Sequence, residues 1–295
     1  MKVLFLGCGD IAQRAVDQLK EPHGQAGADF FCHGVRRQAS RLPATLSSSS
    51  MDICDSKALA ALLDEHGFDA VVVTMTPLAM SDEGYRDSYV AGAHSLSLAV
   101  QSARQPPGQV IWASSSGVYG QDQGEWVDEG SATRPASYRG KRLLEAEEII
   151  QALPVTSCVV RFSGIYGPGR GRLLQQVREG RLAPSQPVQW SNRIHADDAA
   201  GVLVHLLSKY KRGETIEPLY LATDNEPVAI HEVHAWLAQE LGIVAPQPTM
   251  AEMSPAGRVG NRRCNNQRLR DSGFVFRYPT FRQGYRSLLS QTGGE

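Results

Sequence analysis

Along the first half of the chain, short apolar runs alternate with longer segments whose apolar residues recur every three or four positions. "KVLFLG" leads into "DIAQRAVDQLK", "DFFCHGV" into a polar loop ending in "SSSS", and "ALAALLDEHG" into "DAVVVTMTP". "YRDSYVAGAHSLSLAVQSA" then leads into "QVIWASSSGVYG", and "YRGKRLLEAEEIIQAL" into "VTSCVVRFSGIYG". Strands that are apolar at consecutive positions must be covered on both faces, and a helix between strands supplies the crossover that parallel neighbours need. The pattern predicts an α/β fold built on a doubly wound parallel sheet. After about Gly167 the alternation loosens as Pro and Gly become frequent. "ADDAAGVLVHLLSKY" reads as one more helix, with two aspartates in the first turn where the helix dipole favours them. "EPLYLATD" reads as a late strand and "IHEVHAWLAQELG" as an amphipathic helix within a mixed, Arg- and aromatic-rich tail.

Composition narrows the class. The chain has 295 residues, 42% apolar and 21% charged, with a formal charge of −1. No long basic run is present, since "RRQASR" and "NRR" are short, which argues against a nucleic-acid partner. The five cysteines (Cys8, Cys32, Cys54, Cys158, Cys264) are scattered without a C-x-x-C, the pattern of buried thiols in a reducing cytoplasm. "MKVLFLGC" ends like a lipoprotein cleavage site, but its apolar core is far shorter than the roughly 7 to 15 residues of a signal peptide. No later apolar run could cross a bilayer. The expectation is a soluble cytoplasmic protein without a membrane partner.

"LFLGCGDIA" places G-x-G-x-x-A between a strand and a helix. Gly7 permits the tight turn, Gly9 lets the backbone approach a pyrophosphate, and Ala12 allows the helix to sit close to the strand. This predicts dinucleotide binding, with Asp10 and Ile11 at the helix start and Thr74 at a strand end among the residues lining the cofactor. The second strand ends "HGVRRQASR", with Arg36 and Arg37 where an acidic residue would bond a ribose 2′-hydroxyl; Asp29 precedes the strand. A guanidinium fork suits a 2′-phosphate, so NADP is expected over NAD. "MDICD" should follow a short third strand, with Asp52 and Ile53 where an adenine edge and face are read. Residues 1–169 and 190–223 are assigned to the dinucleotide-binding domain, and 170–189 and 224–295 to a small lobe that binds substrate.

"ASSSGVYG" puts a cluster of hydroxyls at a C-terminal strand end, where doubly wound folds place their chemistry. With Gly7–Ala12, Ser114–Gly120, a tyrosine opening a helix at Tyr138, "RFSGIYGPGR" and "RIHADDAA", the chain resembles the extended short-chain dehydrogenase/reductase superfamily, in its NAD-dependent epimerase/dehydratase branch. The tail "NRRCNNQRLRDSGFVFRYPTFRQGY" resembles an atypical, YeeZ-like subgroup. The resemblance implies that Ser115 holds a substrate oxygen and that Tyr138 exchanges a proton with it; Tyr119 is expected to pack. It also implies a lysine four residues after the tyrosine, a position that Arg142 fills here. Both i+3 and i+4 lie near residue i on a helix, so Arg142 and Lys141 are the candidate cations. Arg142 can favour a tyrosinate and bond a ribose, but it cannot relay a proton.

"HEVH" (His231 to His234) is one residue short of a zinc-protease motif, and no metal is expected. His195 with Asp197 could form a general-base pair, though the resemblance makes them structural. The aromatics of "YPTFRQGYR" are expected to pack in the lobe. The reading is an NADP-dependent oxidoreductase, epimerase or dehydratase acting on a hydroxyl or keto group, of a sugar nucleotide or of a smaller molecule. The alternative is a catalytically silent NAD(P)-binding sensor or scaffold; a weaker third reading is a flavin reductase-like activity. Family resemblance also suggests a homodimer through helices near 85–103 and 138–152.

Overall fold

In a computed structural model, the structure describes residues 1–21, 30–243 and 260–292. Asp29 lies outside them. Seven strands form the central sheet: β1 (Lys2–Leu6), β2 (Phe31–Arg36), β3 (Ser47–Ser50), β4 (Ala70–Val73), β5 (Gln109–Ser115), β7 (Thr156–Phe162) and β11 (Leu219–Ala222). Their order is β11-β7-β5-β4-β1-β2-β3, and every neighbouring pair is parallel. The predicted doubly wound sheet is thus what forms, and every strand points its carboxyl end to the same side.

The continuous apolar runs are explained by the two faces of the sheet. Val3 and Phe5 pack into one core with α1 (Asp10–Lys20) and α7 (Ala196–Lys211). Leu4 and Leu6, the alternate residues of the same strand, pack into the other. There they meet α2 (Ser56–His66), α4 (Ala91–Ser102) and α5 (Tyr138–Gln151). Successive strand side chains point to opposite faces, so both faces can be dry only if both sets are apolar.

Two expectations change. "SSSS" does not end a loop: Ser47–Ser50 is the third strand itself. A strand with one neighbour and an exposed margin has no need of apolar residues, and Ser47 and Ser49 both bond the His33 ring at 2.9 Å. The helix predicted from Tyr85 starts earlier, at α3 (Asp82–Tyr85), and reaches α4 through a π-helical turn at Arg86–Val90. The Ser81 hydroxyl caps it by accepting from the Gly84 N–H. Of the cysteines, Cys8, Cys158 and Cys264 are buried, but Cys54 is exposed.

The far margin, β11, is closed by side chains. The Leu221 N–H donates to Glu129 at 2.8 Å, and Arg268 of α9 (Gln267–Asp271) donates to the Leu219 carbonyl at 3.1 Å.

A separate apolar cluster joins α6 (Arg172–Arg178), α8 (Ile230–Glu240) and α10 (Phe281–Thr292) to Tyr166. Phe281, Tyr285 and Leu288 form the buried stripe of α10, spaced as one helix face. Three two-stranded ribbons border this region. They are β8 (Gly164–Tyr166) with β10 (Arg193–His195), β9 (Trp190–Ser191) with β12 (Val228–Ala229), and β6 (Glu125–Val127) with β13 (Arg262–Cys264).

Candidate active site

At the end of β1 the chain turns through Gly7, whose φ is +70°, a conformation that glycine adopts without strain. A Cβ there would also press on the Met75 backbone at 3.1 Å. The Gly7 and Cys8 N–H groups both donate to the Val35 carbonyl at 3.1 Å, and Thr74 Oγ1 donates to the Gly7 carbonyl at 3.1 Å. Three strands therefore fix the turn. No side chain caps the start of α1, so its first-turn N–H groups are available to an anion. Ala12 is fully buried, allowing the helix to sit close on the sheet.

Arg36 ends β2 half-buried, and Arg37 follows exposed. Among the described residues neither makes a side-chain hydrogen bond or ion pair, in contrast to most arginines of the chain. Asp52 accepts from the Cys54 N–H at 3.0 Å, and Ile53 packs against the α2 side core. These residues fit a dinucleotide: a glycine turn, an uncapped helix start and unpaired guanidinium groups lie along one edge of the sheet's carboxyl side.

The chemical end is crowded. Ser115 is the last residue of β5, half-buried, and its Oγ accepts from the Gly117 N–H at 3.1 Å. Tyr138 is the first residue of α5, capped by the preceding Ser137, whose Oγ accepts from Gly140 N–H. A Cβ on Gly140 would sit 2.5 Å from the Gly117 carbonyl, so the first turn of the helix rests directly on the turn that follows Ser115. That glycine brings the two predicted residues' segments together.

The Tyr138 hydroxyl donates to the Met80 carbonyl at 2.6 Å, and its ring meets Tyr85 edge-on. Arg142 does not bond Tyr138. Its guanidinium forms a two-pronged pair with Asp82, at 2.8 and 3.0 Å, and a third bond to Glu145 at 2.9 Å. The pairing holds Asp82 below, and Arg142 above, their ordinary pKa values. Lys141 is exposed on the outer face of α5, beside Arg134, Leu144 and Glu148. The segment Met80–Asp82 thus stands over both the tyrosine and its i+4 cation.

Beneath Ser115 lies a buried ionic cluster that sequence reasoning missed. Arg161, at the end of β7, donates to both carboxylate oxygens of Glu147, at 2.6 to 3.2 Å. It also donates to the Tyr119 hydroxyl at 3.0 Å, and Ser114 Oγ bonds Glu147. Glu147 is 1% and Arg161 5% exposed. Arg262 closes the other side, donating to the Ser116 and Tyr119 carbonyls at 2.6 and 3.0 Å. Burial pushes the Tyr119 phenol up to about 12, as expected of a packing residue. One signal was available. Leu143, Ala146, Glu147 and Ile150 share the buried face of α5, so Glu147 stands in an apolar stripe among glutamates that otherwise read as solvated.

His195 caps α7, its Nδ1 accepting from the Asp197 N–H at 3.1 Å. Its proton therefore sits on Nε2, and burial lowers its pKa to about 4. The Asp197 carboxylate bonds Arg14 at 2.6 Å. Asp198, raised by burial to about 6, accepts from the Arg277 and Tyr278 N–H groups at 2.7 and 2.9 Å. These groups tie the start of α7 to the C-terminal segment.

The order of these parts has counterparts in known proteins. Residues 22–293 match the family described as "RmlD substrate binding domain". A structure from Methylobacillus flagellatus, assigned to the NAD-dependent epimerases/dehydratases, is 32% identical; it superposes with a TM-score of 0.80 over 99% of this chain and 98% of that one. A functionally unknown conserved protein from Silicibacter pomeroyi is 25% identical over 98% of each chain, with a TM-score of 0.73. The UDP-glucose 4-epimerase of Thermus thermophilus, in complex with NAD, is 18% identical and shares the fold at a TM-score of 0.77, over 100% of this chain and 99% of that one. Among curated proteins, UDP-glucuronate 4-epimerase 1 of Arabidopsis thaliana is 30% identical over 167 residues, 50% of this chain. That stretch spans 38% of the plant enzyme. No helix among the described residues is long and apolar enough to cross a membrane. A family match that runs through nearly the whole chain shows that this protein belongs to the RmlD substrate binding domain family, within the extended short-chain dehydrogenase/reductase superfamily.

Proposed function

We propose that the chain is an NADP(H)-dependent oxidoreductase of the epimerase/dehydratase type, acting on a hydroxyl or keto group. The observation that carries this reading is the seating of Tyr138 at the head of α5, against the turn that follows Ser115. Gly7, Gly9 and the first turn of α1, with Asp10 and Ile11, would hold the diphosphate. Asp52 and Ile53 would flank the adenine, and Arg36 and Arg37 the ribose phosphate. The dinucleotide supplies or accepts a hydride. The chain's own residues then handle the proton: Ser115 Oγ would hold the substrate oxygen while the Tyr138 hydroxyl gives or takes its proton. That oxygen must take the place of the Met80 carbonyl as acceptor. Arg142, neutralised by Asp82 and Glu145, would act as the anchor of the segment over the site rather than as a free cation beside the phenol. Lys141, on the outer face, would take part only if the helix end rearranged.

The sugar-nucleotide epimerases of this fold suggest a nucleotide-linked sugar as one substrate class; MoeE5, in complex with UDP-glucose and NAD, is 22% identical with a TM-score of 0.76. The test uses NADPH deuterated at C4 and a panel of ketoses and nucleotide-linked keto sugars. Stereospecific loss of label, reduced about 100-fold or more in Tyr138→Phe, is the expected result. Full turnover in Tyr138→Phe would remove Tyr138 from the chemistry. Binding of NADPH without any label transfer would leave a dinucleotide-binding sensor.

A further inference from the structure

Asp10 poses an electrostatic problem. It is the first residue of α1, directly after the glycine turn, and its side chain is 43% exposed. A carboxylate at the positive end of a helix competes with any other anion placed there, and it repels a diphosphate. Two guanidinium groups hold it. Arg14 bonds it at 2.8 Å from the next turn of α1, but Arg14 also bonds Asp197 of α7 at 2.6 Å. That cation is shared between two carboxylates inside the packing of α1 on α7.

The second is Arg170, which arrives from the turn between β8 and α6. Its Nη2 and Nε lie 3.0 and 3.3 Å from the same Asp10 oxygen. Among the described residues Asp10 is its only side-chain partner, so several of its five N–H donors are uncommitted. The turn that carries it is loosely held. Gly169 has a φ of +74°, and a Cβ at Gly169 or Gly171 would meet nothing within 4 Å. The fixed points are the Arg170 N–H bond to the Gly167 carbonyl at 3.0 Å and the buried Gly167 itself. Arg170, itself exposed, can therefore re-aim without unpacking a neighbour.

We propose that Arg170 binds the cofactor diphosphate, bridging it to Asp10 and drawing the β8–α6 turn over the glycine turn. This rests on the dinucleotide reading above and adds a residue outside the glycine motif to it. Asp10 then serves as the tether that keeps Arg170 in place when no anion is present. Because α6 follows the turn directly, dinucleotide binding is coupled to the position of the helices that pack around Tyr166.

The test separates the diphosphate from the rest of the dinucleotide. ADP-ribose carries the diphosphate and adenosine 2′-monophosphate carries no part of it; both are titrated calorimetrically into wild type, Asp10→Asn, Arg170→Met and the double variant. Loss of a charge-assisted bond predicts ADP-ribose affinity falling about 10-fold or more in Arg170→Met, with adenosine 2′-monophosphate affinity unchanged. The double variant should stay weaker than Asp10→Asn alone. The proposal is overturned if Arg170→Met keeps its ADP-ribose affinity or weakens both probes equally. It is also overturned if the double variant regains the affinity of Asp10→Asn, which would mean that Arg170 merely neutralises Asp10. Failure of the wild type to bind ADP-ribose, NADH and NADPH alike would instead refute the dinucleotide reading beneath it. Far-ultraviolet circular dichroism and Tm of each variant confirm that the folded chain was titrated.

Discussion

The proposed nucleotide end and the proposed chemical end of this protein lie on the same side of one sheet, yet they are built in opposite ways. At the proposed nucleotide end the groups in place are backbone amides and arginines without a side-chain partner among the described residues: the turn at Gly7, the uncapped start of α1, Arg36 and Arg37. At the chemical end nearly every group already has a partner inside the chain. Tyr138 holds the Met80 carbonyl, Ser115 the Gly117 amide, and Arg142 two carboxylates. One end needs only the Arg170–Asp10 pair to re-aim; the other must exchange internal bonds for external ones. Changes to the buried groups of the chemical end should therefore reach stability, and changes at the nucleotide end should reach affinity alone.

The largest effect is expected at Glu147. Glu147→Ala would strand the Arg161 guanidinium in a buried site and cost about 3–5 kcal/mol of stability in denaturant titration. The paired change Glu147→Leu with Arg161→Met should recover much of that loss. A single variant as stable as wild type would show that the frame under Ser115 does not depend on this pair.

A second effect is a pH dependence at Asp224. It lies just past β11, 1% exposed, and burial raises its pKa to about 8. Its folded-state pKa is above the ordinary 3.8, so the protonated form favours the fold. Its contribution is complete below the unfolded value and is lost as pH rises through about 8. Stability should fall by about 1 kcal/mol between roughly pH 7 and 9, and Asp224→Asn should flatten that slope. His195, lowered to about 4, acts in the other direction and at lower pH, its contribution lost as pH falls from 6.5. An unchanged slope in Asp224→Asn would locate the titrating group elsewhere.

Effects at the nucleotide end should leave Tm alone. Arg36→Ala and Arg37→Ala are each expected to weaken NADPH about 10-fold while NADH binding stays the same. If both dinucleotides weaken equally, the arginines do not read the 2′-phosphate. The smallest effect belongs to Asp82→Asn. Solvent screens this exposed pair and leaves it little weight in the folded state, so Tm should barely move. Release of the Met80–Asp82 segment should raise kcat/KM by no more than about fivefold. A drop in kcat/KM instead would mean that Asp82 holds Arg142 in its working position.

The same contrast explains what could be read from the sequence. The glycine turn, the strand-helix alternation and the tyrosine at a helix start are local: each depends on residues adjacent in the chain, and each is where the spacing placed it. A short third strand is legible ahead of "MDICD", yet its four serines read as the end of a loop, because an edge strand is not required to be apolar. What decides the chemical end is long-range. Asp82 meets Arg142 across 60 positions and Ser114 meets Glu147 across 33, and no local pattern encodes either contact. The substitution of arginine for lysine was visible in the chain; that its charge is consumed by Asp82 and Glu145 was not.

The sealing of β11 by Glu129 and Arg268 bears on how copies of this chain can associate. A parallel sheet normally offers each terminal strand as a template for another strand. Here one terminus presents a carboxylate and a guanidinium in place of open backbone, and the other is four serines long. Continuation of the sheet from molecule to molecule is disfavoured at both ends. Ordered assembly is left to the helical faces, and partly unfolded chains that lose the Glu129 segment are the ones that would expose a sticky edge.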